Sequence, residues 1–149
     1  MSKPPLLYAS PFPPLQSGIS EYSRYLAGAL REYFDVTLFT EGVYQIADAQ
    51  LRDGCRVRAY RKDEVDLLGE YPYRIYNIGN NPWFHGYIYE CCLKWPGLVI
   101  LHDAVIYFLV VGIYMDRPDF LDTVYRLEGA RGVAIIKDHL KSGEQLMRY

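Results

Sequence analysis

Two histidines, two asparagines and an aspartate recur where apolar runs stop, and these are the residues best suited to chemistry. His102 and Asp103 close the run at residues 97–101, while Asn80 and Asn81 follow the run Tyr73–Ile78, with His85 about one helical turn beyond them. An imidazole at the end of a buried strand is rigidly held and can donate a hydrogen bond or carry a proton near neutral pH. Asp103 suits the cap of a helix starting at Ala104. Asparagine accepts left-handed backbone and bonds its own main chain, so turn-making explains Asn80 and Asn81 as readily as ligand contact does. His85 is equally readable as a core, surface or ligand-facing histidine. A further candidate is the loop at residues 10–20, SPFPPLQSGIS, in which Ser17 is a good N-cap and Gly18 opens a helix. Unpaired amides at a helix N-terminus suit a phosphate or carboxylate. Gly18 either lets such a ligand approach the backbone or relieves crowding between helix and sheet. Neither GxGxxG nor the phosphate loop ending in GK[ST] is present, which disfavours nicotinamide and ATP enzymes of those types.

The elements that must position these residues alternate. Apolar runs at residues 5–10, 35–40, 57–60, 73–78 and 97–101 read as strands. The last is a short continuous apolar run of the kind that burial on both faces requires. Between the first two, Ile19, Tyr22, Leu26, Ala29, Leu30 and Tyr33 recur at helical spacing and predict a helix packed on a sheet through that stripe. The expected fold is therefore α/β: a doubly wound parallel sheet, three-layer α/β/α and Rossmann-like, forming a single domain over residues 1–149. In such sheets ligands bind beyond the carboxyl ends of the strands, where Asn80, Asn81, His102 and Asp103 fall. The charged run at residues 61–66 reads as a solvated turn or helix end. Residues 104–115 are almost wholly apolar but fall short of the ~20 residues a bilayer crossing needs, so they predict a buried helix. Any exposed part of it would serve another domain, a second copy or a peripheral membrane contact. Helix is expected over residues 118–148, with breaks at Gly129, Gly132 and Gly143, and the tail lacks a cap, as though the protein continues.

Composition narrows the function classes. A chain that is 50% hydrophobic and 23% charged is globular, and a formal charge of -2 supplies no field for nucleic acid. Cys55, Cys91 and Cys92 show no metal-ligand spacing, and with no signal peptide they suggest reduced thiols in the cytoplasm. The 15 tyrosines place many rings with a buried body and a hydroxyl at a polar edge.

In order, PFPPLQSGISEYSRYLAGAL, DVTLFT, YNIGNNPWFHGYIYE and PGLVILHD resemble the N-terminal half of family 4 glycosyltransferases of the GT-B architecture, from about Leu6 to Asp103. The resemblance implies two Rossmann-like domains facing across a cleft, the N-terminal one holding a sugar or lipid-linked acceptor and the C-terminal one a nucleotide-sugar donor. It implies transfer with retention of configuration, no required metal and no cofactor. By position, Gly18 matches the glycine whose backbone approaches the donor phosphates, His102 the histidine facing the transferred sugar, and Asn80, Asn81 and His85 the segment lining the cleft. Ser17 stands where the family often has a second glycine. The donor domain with its pair of glutamates is absent from these residues, so the resemblance implies half of an enzyme, inactive alone. The other expectation is a freestanding flavodoxin-like binding or interaction domain without catalysis, since fold alone assigns no chemistry; a gene continuing well past Tyr149 separates the two.

Overall fold

The computed structural model describes residues 2–42 and 45–141. Five strands, β1 (Pro5–Ala9), β2 (Asp35–Thr40), β3 (Arg56–Ala59), β4 (Tyr73–Ile78) and β5 (Leu98–Leu101), form one sheet in the order β3-β2-β1-β4-β5. Every pairing is parallel, with Leu6 opposite Val36 on one side and Tyr73 on the other. The connecting helices are α1 (Gly18–Leu30), α2 (Ala49–Gly54), a 3-10 helix at Lys62–Glu70 and α3 (Pro82–Lys94); α4 (Tyr107–Tyr114) and α5 (Phe120–Lys141) follow β5. This is the expected doubly wound Rossmann-like architecture.

Period-two alternation divides the core in two. Leu6 and Tyr8 of β1 join Val36, Leu38 and Ala27 beneath α1, whereas Leu7 and Ala9 join Phe39, Tyr76, Ile78 and Ile88 beneath α3. The reversal of strand order beside β1, between β2 and β4, is the switch point at which loops diverge and leave a crevice.

Four sequence expectations are corrected here. The run at residues 97–101 is not buried on both faces: β5 lies at the sheet edge, with Leu98 60%, Val99 45% and Leu101 51% exposed. After β5 the chain runs to α4, which packs on α3, and no described segment returns to pair with the outer side of β5. The fully buried residues of α1 are Ser20, Ser23 and Ala27; of the expected stripe, Leu26 and Leu30 pack half-buried against the core, whereas Tyr22 and Tyr33 are 44% and 68% exposed. Small residues let the helix sit close to the sheet, and the tyrosines, amphipathic rather than apolar, take the outer face. The apolar stretch 104–115 is helical only over Tyr107–Tyr114; Leu109 and Val111 are buried, but Val105 and Phe108 are 66% and 40% exposed. Of the expected breaks, Gly129 is one, at φ 68°, whereas Gly132 lies within α5 and Gly143 outside the described residues. No helix among the described residues is long and apolar enough to cross a membrane.

Candidate functional site

The site forms where the carboxyl ends of β1, β4 and β5 meet the first turns of α1 and α3. Ser17 caps α1 as its sequence suggests, its Oγ accepting from the Ser20 amide at 3.0 Å, while its carbonyl accepts from Glu21. A Cβ built on Gly18 meets nothing within 4 Å. Crowding between helix and sheet therefore does not explain this glycine, and the space above the backbone is open to a ligand. On the same turn the Ser20 hydroxyl is buried with no partner among the described residues.

Gly79 marks the convergence of three elements. A Cβ there would lie 2.7 Å from Ile19 Cδ1 of α1, 2.9 Å from His85 Nε2 of α3 and 3.2 Å from the Asp103 Oδ2 that follows β5. Only the absence of a side chain lets them close on the end of β4. The following residues hold the turn together. Asn80 donates its backbone N–H to Asp103 Oδ2 at 2.7 Å and accepts from the Leu109 amide through its own side chain at 3.2 Å. Asn81 caps α3, its Oδ1 accepting from the Trp83 amide at 2.9 Å. Asp103 does not cap a helix at Ala104, because α4 starts only at Tyr107; its carboxylate clamps the asparagine turn instead.

His85 is 2% exposed and donates from Nδ1 to the Asn77 carbonyl at 3.0 Å. Burial pushes its pKa down to about 4, which outweighs the lift from that bond and keeps the ring neutral at neutral pH. His102 is half-buried. Its amide donates to the Ile78 carbonyl at 2.9 Å, its Nε2 lies 3.2 Å from Asn77 Oδ1, and its ring meets the edge of Tyr22 with centroids 5.1 Å apart. Burial lowers its pKa while the adjacent Asp103 carboxylate opposes the shift. Its Nδ1 has no partner among the described residues and is not sealed from solvent, so it is the ring atom available to a ligand.

The residue that joins these pieces is one the sequence reading passed over. Asn77 is fully buried in β4 on the α1 face of the sheet. Its Nδ2 lies 2.6 Å from Tyr8 Oη, 2.8 Å from Ser23 Oγ and 3.2 Å from Ser10 Oγ, and its two protons are shared among these three hydroxyl oxygens. Burial raises the Tyr8 pKa to about 12, so the phenol is a neutral member of this network. The available signal was a lone amide at an inward position of the apolar strand YRIYNI, since a buried polar group is more informative than an exposed apolar one. Tyr22, which walls His102, was misplaced on the buried stripe because its ring was counted as apolar.

The described residues contain no cluster of His, Cys, Asp and Glu able to hold a metal ion. All three cysteines are free thiols, and burial raises the pKa of each, Cys91 to about 12, which makes them poor nucleophiles. The arrangement thus offers a neutral imidazole nitrogen, helix-terminal amides and open space over a glycine, suited to hydrogen-bonding a polar ligand. No family model, curated protein or solved structure matches the chain.

Proposed function

We propose that this chain is the N-terminal, acceptor-side domain of a retaining glycosyltransferase that transfers a sugar from a nucleotide-sugar donor to a sugar or lipid-linked acceptor in the cytoplasm. The observation that carries the reading is the pairing of two features at one sheet edge. Gly18 opens α1 with free space above it, and one turn along the same helix Tyr22 touches His102, whose Nδ1 is unpartnered. An anion seated on the α1 amides would lie beside the imidazole, as the phosphate and sugar of one donor must lie beside each other. The order of motifs from Leu6 to Asp103 supports the same reading.

In a retaining transfer, positive charge grows on the sugar carbon and negative charge on the departing phosphate. The helix N-terminus would stabilise the phosphate, and His102 would orient the sugar through a hydrogen bond that holds the reacting carbon in line. Among the described residues no base is hydrogen-bonded to the His102 ring, and we assign it no nucleophilic role. Asn80, Asn81 and Asp103 fix the loop that borders this space, and His85 supports it from beneath. The donor-side contacts belong to a second domain.

In the complete protein, assayed against a panel of nucleotide-sugars, His102→Ala lowers turnover by roughly 10²-fold or more, the scale of losing one positioned polar group, with little change in melting temperature. Near-normal turnover in that variant, or loss of activity only through unfolding, removes His102 from the mechanism. A complete protein that binds small ligands but turns over no nucleotide-sugar would identify a binding domain instead.

A further inference from the structure

We infer that Asn77 is a positioning residue that locks His102 as the Nε2–H tautomer and leaves Nδ1 as the nitrogen that meets a ligand. The polarity of a hydrogen-bond chain carries the assignment. It starts at a group that can only accept: the Ile19 carbonyl in α1, which takes the Ser23 hydroxyl proton at 2.6 Å. With that proton spent, Ser23 Oγ can only accept from the Asn77 side chain 2.8 Å away, so the amide must present its NH2 there. The Ser10 hydroxyl, 2.5 Å from Ser23 Oγ, then acts as the donor to it for the same reason.

Once Nδ2 faces the hydroxyls, Oδ1 faces His102, and an amide oxygen accepts only. Nε2 of His102, 3.2 Å away, therefore carries the proton in the neutral ring. The reverse amide orientation would set Nδ2 against Nε2 and move the ring proton to Nδ1; its Oδ1 could take the Tyr8 hydroxyl proton, but it would lie against Ser23 and Ser10 oxygens whose protons are committed elsewhere. A second constraint runs through the same residue: the Asn77 carbonyl accepts from Nδ1 of His85, fixing that ring as the opposite tautomer. One asparagine thus specifies both histidines by presenting acceptors on two sides.

The consequence for a ligand rests on the reading that His102 borders the bound sugar. A neutral ring with its proton turned inward offers a lone pair at Nδ1, which takes a hydrogen bond from a hydroxyl and is mismatched to an anionic oxygen. Long-range proton–nitrogen correlation spectra of the ligand-free chain, with the rings labelled with nitrogen-15 and neutral, test the assignment directly. His102 is expected as the Nε2–H form by about tenfold or more, the scale of one buried hydrogen bond, and His85 as the Nδ1–H form. Ser23→Ala removes the anchor, so both amide orientations become comparable and His102 becomes a mixture; Asn77→Leu, if folded, gives a mixture by removing the acceptor. A mixture or an Nδ1–H ring in the unsubstituted chain overturns the assignment, as does an unchanged single tautomer in folded Ser23→Ala. These spectra need no substrate, so they stand or fall separately from the His102→Ala turnover experiment.

Discussion

The two histidines differ in what burial does to them. His85 is sealed under Gly79 and falls to about 4 from an ordinary 6.5, with burial as the leading cause. Unfolding exposes the ring, so between those two values the unfolded chain binds a proton that the folded one refuses, and stability rises with pH. The contribution is fully present above pH 6.5 and is lost progressively as the pH falls towards 4, on the order of 3 kcal/mol in all. Denaturant titrations from pH 7 to pH 4 should show this decline. His85→Asn, whose amide can donate to the same Asn77 carbonyl without titrating, should flatten it. An undiminished slope in a folded His85→Asn would place the acid sensitivity in another group.

At the scale of elements, two glycines on either side of the crevice make opposite predictions. A methyl group at Gly79 meets the side-chain tips of Ile19, His85 and Asp103 at or below 3.2 Å, so Gly79→Ala makes these tips shift, the buried His85 ring having least room to do so, and should cost about 1–3 kcal/mol, as overpacking does. A methyl group at Gly18 meets nothing, so Gly18→Ala should leave the melting temperature within a few degrees while weakening nucleotide-sugar binding in the complete protein. Unchanged binding with Gly18→Ala would show that no ligand closes on that backbone. The sequence located Gly18, the strands and the cap at Ser17, because runs and caps are local signals. It misjudged β5 and the buried face of α1, because these depend on distant partners and on whether a tyrosine counts as inside or outside. Asp103 was legible as a hydrogen-bonding carboxylate but not as the clamp on Asn80, since that bond spans a separation the sequence does not display.

For the whole molecule, the proposed activity requires two surfaces and this chain supplies one. Residues 1–149 alone should transfer no sugar and bind nucleotide-sugars weakly, because a donor held on one side remains open to water and lacks most of its contacts. Transfer assays on the highly purified chain check this, and turnover by it alone would refute the division of labour. Apolar exposure at Leu98, Val99, Leu101 and Val105 runs along and just beyond the edge strand, an area soluble proteins ordinarily keep covered or charged.

The strand order also fixes when the crevice can exist during synthesis. On one side β1 pairs with β2, its neighbour in sequence, and on the other with β4, which is synthesised later. Tyr8, Ser10 and Ser23, which line the slot that Asn77 fills, are all synthesised before it. The ribosome delivers Asn77 into that slot later and His102 later still. The candidate-site end of the sheet is thus completed by the last strands to be synthesised, β4 and β5, and the space between α1 and His102 is bounded only once they are in place.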